Sequence, residues 1–266
     1  MKKRIIGLLM AFTLANSVIL AGCGSKKEAG DHLDRIQKSG KIIIAMEGQW
    51  APWTYHDENG DLVGYDTEVG KAVAEKLGVE AEFIEGEWDG LFAGLDGGRY
   101  DVIINGVEIT EEREKKYDFT TPYAYIKTAL AVSSDNTDIT GFDDLNGKKT
   151  SNSLGSTYAD LAEAKGAEVL NVDTLSETIN MVTSGRVDAT LNAEVSFYDY
   201  FAEHPDAPIK IVALTEDASH VSMPLVKGND NARLKAAIDK ALEELAADGT
   251  LSRLSEKYFG SDISKK

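Results

Sequence analysis

Short apolar runs alternate with segments of helical periodicity along most of this 266-residue chain. Lys41–Met46, 79–84 and 101–105 have the composition of buried strands, whereas Tyr65–Leu77 and 89–95 place apolar residues at helical spacing. Two parallel strands can be joined only through a long crossover, which is usually a helix. The alternation therefore predicts an α/β fold with a mostly parallel sheet.

A second alternating set occupies residues 147–214, and two extended segments, 127–134 and 220–227, lie on either side of it. This arrangement predicts two lobes, each a mostly parallel sheet flanked by helices, joined by two extended hinge strands with a cleft between the lobes. The expected division assigns 39–126 plus 225–266 to lobe 1 and 127–224 to lobe 2.

The amino terminus has the pattern of a bacterial export signal. Three basic residues, 2–4, precede an apolar run over residues 5–20, which is short for a membrane-spanning helix and typical of a secretory signal. The run ends in Leu20-Ala21-Gly22-Cys23, which resembles the lipobox of bacterial lipoproteins. We expect residues 1–22 to be a lipoprotein signal peptide; an ordinary signal peptide with a chance cysteine is the alternative.

Cleavage before Cys23 would leave its thiol as the acceptor for a lipid. Residues 24–30 are polar, as in a flexible linker, and we expect residues 23–38 to form a lipidated tether. The protein would then be extracytoplasmic and attached to the cell membrane through the lipid anchor only.

The charge balance and the single cysteine exclude several function classes. With 28 basic against 45 acidic residues the net charge is −17, which argues against nucleic-acid binding because phosphate contacts require a basic surface. One cysteine excludes a disulfide framework, and the four histidines lack metal-ligand spacing. The sequence contains no G-x-S-x-G, H-E-x-x-H or strand-linked G-x-G-x-x-G motif, so we expect no catalytic residue, metal or cofactor.

Several sequence blocks occur together in the order and at the spacing of one known family. They are E-G-Q-W-A-P-W (47–53), G-D-L-V-G-Y-D-T-E-V-G (60–70), W-D-G-L (88–91), D-V-I-I-N-G-V-E-I-T-E-E-R (101–113), Y-D-F-T-T-P-Y (117–123), L-G-S-T-Y (154–158), G-R-V-D-A (185–189) and K-Y-F-G (257–260). Over nearly the whole mature chain they resemble the family 3 solute-binding proteins of amino-acid ABC importers. The resemblance implies a monomeric binding protein, not an enzyme, whose partners are a free amino acid and an ABC permease in the membrane.

The resemblance also implies a site for the carboxylate of an amino acid. Arg113 matches the family's arginine, and a guanidinium can hold a carboxylate through two parallel hydrogen bonds. Ser156 and Thr157 open a predicted helix, where free backbone N–H groups favour an anion. A surface arginine and a plain helix cap are the structural alternatives for these residues.

Aromatic and acidic residues match the family's positions around the ligand side chain. Trp50 and Trp88 match positions where family members stack apolar or aromatic groups on the ligand, with plain core packing as the alternative. Glu47 matches an acid that reaches the distal end of the ligand. The predicted ligand-binding set is completed by Asn105, Gly106 and Glu108.

The identity of the amino acid is left open between two chemical types. Glu47, Trp50 and Trp88, with the run 113–119, are most similar to the cystine-binding branch, and cystine has a second ammonium that Glu47 could meet. A cationic amino acid such as arginine or lysine would satisfy the same glutamate. The alternative functions are a cyclohexadienyl dehydratase, which shares this fold and would use a buried Glu108 as general acid, and a ligand sensor with the same site.

The chain departs from the family pattern at two positions. Many members carry a second acid five residues after the aspartate of the G-R-x-D-A block, where it meets the ligand's ammonium, but this chain has Ala193 there. Glu108 stands where the family usually has Ser or Thr. We hypothesise that the counter-charge has moved to Glu108; a ligand without an α-ammonium and an inward turn of Glu194 are the alternatives.

Overall fold

The structure of the protein is a computed structural model that describes residues 30–266. The predicted signal peptide, Cys23 and the first part of the predicted tether lie outside the described residues. Within residues 30–266, no helix combines the length and the apolar character needed to cross a membrane.

Lobe 1 begins with a helix and a small parallel sheet. Its first elements are α1 (His32–Ser39), β1 (Lys41–Met46), β2 (Gln49–Trp50), β3 (Thr54–His56), β4 (Leu62–Val63), α2 (Tyr65–Leu77), β5 (Glu80–Glu85), α3 (Trp88–Asp96) and β6 (Val102–Ile103). In the sheet, β1 lies in the centre, parallel to β5 on one side and to β6 on the other. Ile42 and Ile44 of β1 are buried because helices cover the sheet.

The chain leaves lobe 1 after one short helix and two short strands. These elements are α4 (Glu111–Lys116), β7 (Tyr117–Phe119) and β8 (Ala124–Ile126). Only Lys127 separates β8 from β9 (Thr128–Ser133), the first strand of lobe 2. The extended segment at 127–134 is therefore mostly a strand of the second sheet, and the connection itself is very short.

Lobe 2 is built on a five-stranded sheet. After β9 it contains a 3₁₀ turn (Phe142–Leu145), β10 (Lys149–Asn152), α5 (Thr157–Ala164), β11 (Glu168–Asn171), α6 (Leu175–Thr183), β12 (Ala189–Ala193), α7 (Glu194–Glu203) and β13 (Ile209–Leu214). The strand order is β11-β10-β12-β9-β13; β10 is parallel to β11 and β12, whereas β9 is antiparallel to both of its neighbours. The predicted two-lobed α/β fold is thus confirmed.

The second connection between the lobes lies earlier in the chain than the predicted boundary after residue 224. β13 pairs with β9 of lobe 2, whereas β14 (Ser219–Val221) pairs with β8 and β15 (Pro224–Val226) pairs with β7. Residues 219–224 therefore belong to lobe 1 and not to lobe 2. An extended pattern predicts a strand, but the partner of that strand depends on residues about a hundred positions away.

The chain ends on lobe 1 with α8 (Ala232–Ala247) and α9 (Thr250–Phe259), which both pack against α2. Helix α1 packs against α8 and β1, and its Leu33 and Ile36 are buried. The predicted tether of residues 23–38 therefore extends too far toward the carboxyl terminus, because residues 32–39 form a helix that belongs to lobe 1.

His32 attaches α1 to the rest of lobe 1. Its Nε2 lies 2.6 Å from Oδ1 of Asp101, and its Nδ1 is hydrogen-bonded to Oδ1 of Asn231. Asn231 donates its Nδ2 to the carbonyl of Val226 over 2.6 Å, which leaves its oxygen for the ring. Since both ring nitrogens face acceptors, the charged imidazole is favoured, and the hydrogen bond to Asp101 raises the pKa of His32 against the opposing effect of burial.

We expect the stabilisation that His32 contributes to the fold to decrease as the pH rises. A histidine whose pKa is higher in the folded state contributes fully below its unfolded pKa of about 6.5 and loses that contribution as the pH passes through the folded pKa. The difference in the free energy of unfolding between wild type and His32→Gln, measured with urea, should therefore be largest near pH 6 and shrink toward pH 8.5. The exposed His204→Gln is the matched control, and a difference for His32→Gln that does not vary with pH would contradict this role.

Candidate functional site

The carboxyl ends of parallel strands from both sheets meet at one cleft. On lobe 1, Glu47 follows β1, Asn105 follows β6, and Trp88 begins the helix after β5. On lobe 2, Asn152 ends β10 and Asp173 follows β11. Open α/β sheets bind their ligands in a crevice outside the carboxyl ends of the strands. The residues at these ends line one cavity between the lobes, and such a concave space is where a small molecule binds.

All nine residues that the sequence suggests as ligand-binding line this cavity: Glu47, Trp50, Trp88, Asn105, Gly106, Glu108, Arg113, Ser156 and Thr157. The sequence patterns did not indicate the other residues of the lining, which are Gln49, Asn152, Ser153, Tyr158, Asp173, Thr174, Leu175, Thr178 and Asn192. Several of them lie at the carboxyl ends of β10, β11 and β12. The carboxyl ends of neighbouring parallel strands meet at one edge of a sheet, so the strand-end rule could have indicated them.

Glu47 and Asn105 hold each other on the lobe 1 side of the cavity. The backbone N–H of Glu47 donates to Oδ1 of Asn105 over 2.8 Å, and Nδ2 of Asn105 donates to Oε2 of Glu47 over 2.6 Å. Burial raises the pKa of Glu47 to about 7 although the hydrogen bond from Asn105 opposes the shift, and the charges of Glu87 and Asp173 add to it. A cation beside this carboxyl would favour its charged form.

Trp50 forms a wall of the cavity, and Gly106 leaves room for its ring. Gly106 has a φ of 56°, and a Cβ atom there would lie 2.6 Å from Cζ3 of Trp50. The Trp50 ring also stacks on the buried Trp53, with ring centroids 5.3 Å apart. Trp50 is therefore held in place as a flat apolar surface for a ligand side chain.

Arg113 lies where the two lobes meet. Its Nη1 donates to the carbonyl of Glu108 over 2.8 Å, and its Nη2 donates across the cleft to the carbonyl of Gly155 over 3.0 Å. The guanidinium carbon is 5.3 Å from the ring of Trp88, a cation–π arrangement. Burial lowers the pKa of Arg113 and the charge of Glu108 opposes the shift, but an arginine keeps its charge in a protein. The cavity thus contains an oriented cation.

Lobe 2 contributes the beginning of α5 to the cavity. Ser156 caps this helix with its side chain, as the sequence predicts. Thr157 Oγ1 donates to Oε1 of Glu108 on lobe 1 over 2.5 Å, and Nε1 of Trp53 on lobe 1 donates to Oγ of Ser196 on lobe 2 over 3.2 Å. With the bond from Arg113, these contacts join the lobes in a closed arrangement.

Unpaired polar atoms are concentrated in this cavity. Within residues 30–266, four side-chain polar atoms are buried without a hydrogen-bond partner. Three of them belong to residues that line the cavity, namely Nε1 of Trp50, Oδ1 of Asn152 and the hydroxyl of Tyr158, and the fourth is Oγ1 of Thr150. Buried polar atoms are nearly always hydrogen-bonded. Three unpaired atoms around one cavity therefore indicate a polar ligand.

The described part of the chain contains no group of three or more His, Cys, Asp or Glu residues placed to hold a metal ion. The cavity offers instead one guanidinium, three carboxyl groups, two tryptophan walls and a helix start. A closed cleft of this chemistry between two α/β lobes defines a binding protein for a small polar molecule.

The chain belongs to the bacterial extracellular solute-binding proteins, family 3, which match residues 42–261. It is similar to the L-cystine-binding protein TcyA of Bacillus subtilis (strain 168), with 38% identity over 274 residues that cover 100% of each chain. The sequence-based assignment to this family is confirmed. Membership places the protein outside the cytoplasm, and relatives such as TcyA are transporter substrate-binding proteins rather than enzymes, so the dehydratase alternative is not supported.

Two solved structures bear on the arrangement of the lobes. An ancestral arginine-binding protein bound to arginine is 39% identical, with a TM-score of 0.77, and covers 83% of this chain and 99% of its own. The L-cystine solute receptor of Neisseria gonorrhoeae in its unliganded open conformation is 41% identical, with a TM-score of 0.59, and covers 88% and 99%. The lower score at similar identity is expected when open lobes are compared with closed ones, in agreement with the hydrogen bonds across the cleft described above.

Proposed function

We propose that the protein binds a free amino acid in this cleft, acts as a monomer and delivers the amino acid to an ABC permease in the membrane. The observation that carries the proposal is the position of Arg113, which lines the cavity and is hydrogen-bonded to both lobes. A guanidinium has five N–H donors; here one is directed at Glu108 and one at Gly155, and the others are available to a carboxylate. A ligand that contacts both lobes would select the closed state.

The ligand we favour is L-cystine, with a cationic amino acid such as arginine or lysine second. Each has a second positive group, and the cavity holds the carboxyl groups of Glu47 and Asp173, of which Asp173 acts electrostatically on Glu47. Cystine also has a second carboxylate, for which the unpaired Nε1 of Trp50 is a suitable donor. The names of TcyA and of the arginine-bound ancestral protein support this pair of candidates.

Identification of the bound molecule tests the proposal. Protein purified under native conditions is denatured, the released small molecules are analysed by mass spectrometry, and the refolded protein is titrated by calorimetry with L-cystine, L-arginine, L-lysine and L-glutamate. We expect one of the first three to bind. L-Glutamate should not, because its second carboxylate would meet Glu47 and Asp173. Preferential binding of L-glutamate, or of no amino acid, would overturn the proposal.

We also propose that Cys23 carries a lipid that anchors the protein to the cell membrane. Cys23→Ala should move the protein from the membrane fraction to the soluble extracytoplasmic fraction and abolish labelling by an alkyne-tagged palmitate, because the thiol is the acceptor. The affinity for the amino acid should stay unchanged, and Ser25→Ala is the matched control. A Cys23→Ala protein that is processed normally yet stays in the membrane fraction would contradict the anchor.

A further inference from the structure

An α-amino acid carries its ammonium and its carboxylate on the same carbon, so the groups that bind them must be neighbours. With Arg113 as the carboxylate site, as the proposed function assumes, the acid for the ammonium has to lie beside Arg113. Three acids line the cavity: Glu47, Glu108 and Asp173. Of these, Glu108 accepts a hydrogen bond from Arg113 through its carbonyl, and its charge acts on the guanidinium more strongly than any other charge does, whereas the charge of Asp173 acts on Glu47.

The carboxyl group of Glu108 has one oxygen engaged by the protein. Oε1 accepts the hydrogen bond from Thr157, and Oε2 accepts none from the described residues. Glu108 is only 5% exposed and lines the cavity, and a carboxylate in such a place is stabilised by a cationic partner. The second oxygen therefore favours a cationic donor in the cavity.

The two other candidate positions do not bring an acid to Arg113. Ala193 is fully buried and outside the lining of the cavity, which contains its neighbour Asn192 instead. Glu194 uses its carboxyl group to accept a hydrogen bond from the backbone N–H of Lys127, at the first connection between the lobes, and it does not line the cavity either. An inward-turned Glu194 is therefore not the arrangement found here.

We propose that Glu108 is the counter-ion of the ligand's α-ammonium and, through its bond with Thr157, also an acceptor that holds the cleft closed. Both charged groups of the ligand are then bound by lobe 1 alone, by Arg113 and Glu108, before the lobes meet. When the lobes close, Thr157 of lobe 2 donates its hydrogen bond to the carboxylate of Glu108. Recognition of the ammonium and retention of the ligand thus depend on one side chain.

A thermodynamic cycle between Glu108 and the ammonium tests the first part. Calorimetry compares wild type and Glu108→Gln with two probes, L-arginine and 5-guanidinopentanoate, which is arginine without its α-ammonium. For a cystine-binding protein the probes are L-cystine and 3,3′-dithiodipropionate, with Glu47→Gln measured in parallel to account for the second ammonium. The exposed Glu111→Gln, on α4, is the matched control.

In wild type and in Glu111→Gln, loss of the ammonium should weaken binding on the order of a hundredfold, the range expected for one partner of a buried charge pair. In Glu108→Gln the same change in the probe should cost less than about tenfold, because the counter-ion is absent. Equal discrimination by wild type and Glu108→Gln would overturn the assignment of Glu108 while the amino-acid function stands. If none of L-arginine, L-lysine and L-cystine binds to wild type, the proposed function fails together with it.

A kinetic experiment tests the second part. Thr157→Val keeps the shape of the side chain and removes the hydroxyl, so it should still discriminate between the two probes while the release of L-arginine or L-cystine becomes about tenfold faster. That factor follows from a hydrogen bond to a charged group. Stopped-flow tryptophan fluorescence reports release, because Trp50 and Trp88 line the cavity. An unchanged release rate would show that the bond between Thr157 and Glu108 does not hold the cleft closed.

Discussion

Replacing Arg113 by alanine is expected to weaken amino-acid binding about a hundredfold or more. Each hydrogen bond between a guanidinium and a carboxylate contributes about 1.5–3 kcal/mol, and two such bonds correspond to at least two powers of ten in the dissociation constant. The ligand's carboxylate would also remain buried beside Glu108 without a counter-charge. Calorimetric titration with L-cystine and L-arginine measures the change.

Two further variants separate the shape of Arg113 from its charge. Arg113→Lys retains a positive charge but offers no planar pair of donors, so its affinity should lie between those of wild type and Arg113→Ala. Arg186 is exposed on lobe 2 outside the cavity, and Arg186→Ala should bind as wild type does. An Arg113→Ala protein with an unchanged dissociation constant would show that the carboxylate is bound elsewhere.

Of the substitutions discussed for this protein, Asp66→Ala is expected to lower the free energy of unfolding most. Asp66 is fully buried in α2; its Oδ1 accepts a hydrogen bond from the hydroxyl of Tyr123 over 2.8 Å, and its Oδ2 accepts one from the backbone N–H of Gly106 over 2.5 Å. Alanine would leave two buried donors without an acceptor, at about 1–3 kcal/mol each. We therefore expect the free energy of unfolding, measured with urea, to fall by about 2–6 kcal/mol.

The conservative variant Asp66→Asn separates the lost hydrogen bonds from a general disturbance of the core. The amide oxygen can accept from Gly106, and the hydroxyl of Tyr123 can turn to accept from the amide nitrogen. The free energy of unfolding of Asp66→Asn should therefore be much closer to that of wild type than the value for Asp66→Ala is. The exposed Asp61→Ala should have the same free energy of unfolding as wild type. Equal unfolding free energies for Asp66→Ala and wild type would contradict the argument. Because Gly106 lines the ligand cavity, Asp66→Ala should also weaken ligand binding.

Local sequence patterns are sufficient to predict most helices and strands of this protein. The apolar run of β1 and the helical spacing of α2 depend on neighbours along the chain, and so does the cap that Ser156 provides for α5. The same holds for parts of the cavity lining. Parallel strands end at a common edge, so a polar residue at a predicted strand end, such as Asn105, is placed near the cleft by topology alone.

The errors concern contacts between distant parts of the chain. Residues 32–38 are polar in composition and belong to a predicted tether, but burial of Leu33 and Ile36 against lobe 1 makes them part of the fold. Residues 220–227 are predicted to be extended and to lie between the lobes, yet the two strands found there, β14 and β15, pair with β8 and β7 of lobe 1. Periodicity describes which face of an element is apolar, and it contains no information on which partner covers that face.

By itself the sequence determined the family, the α/β fold with two lobes, and nine of the residues that line the cavity, because these depend on residue types, spacing and local periodicity. Only the tertiary structure decided how those residues are arranged. Thr157 and Glu108 are 49 positions apart and on different lobes, yet they share a hydrogen bond, whereas Ala193 is buried outside the cavity. The physical reason is that the charges of the side chains follow from the residue types alone. The distance between two charged groups, which determines how strongly they interact, depends on how the lobes pack and close.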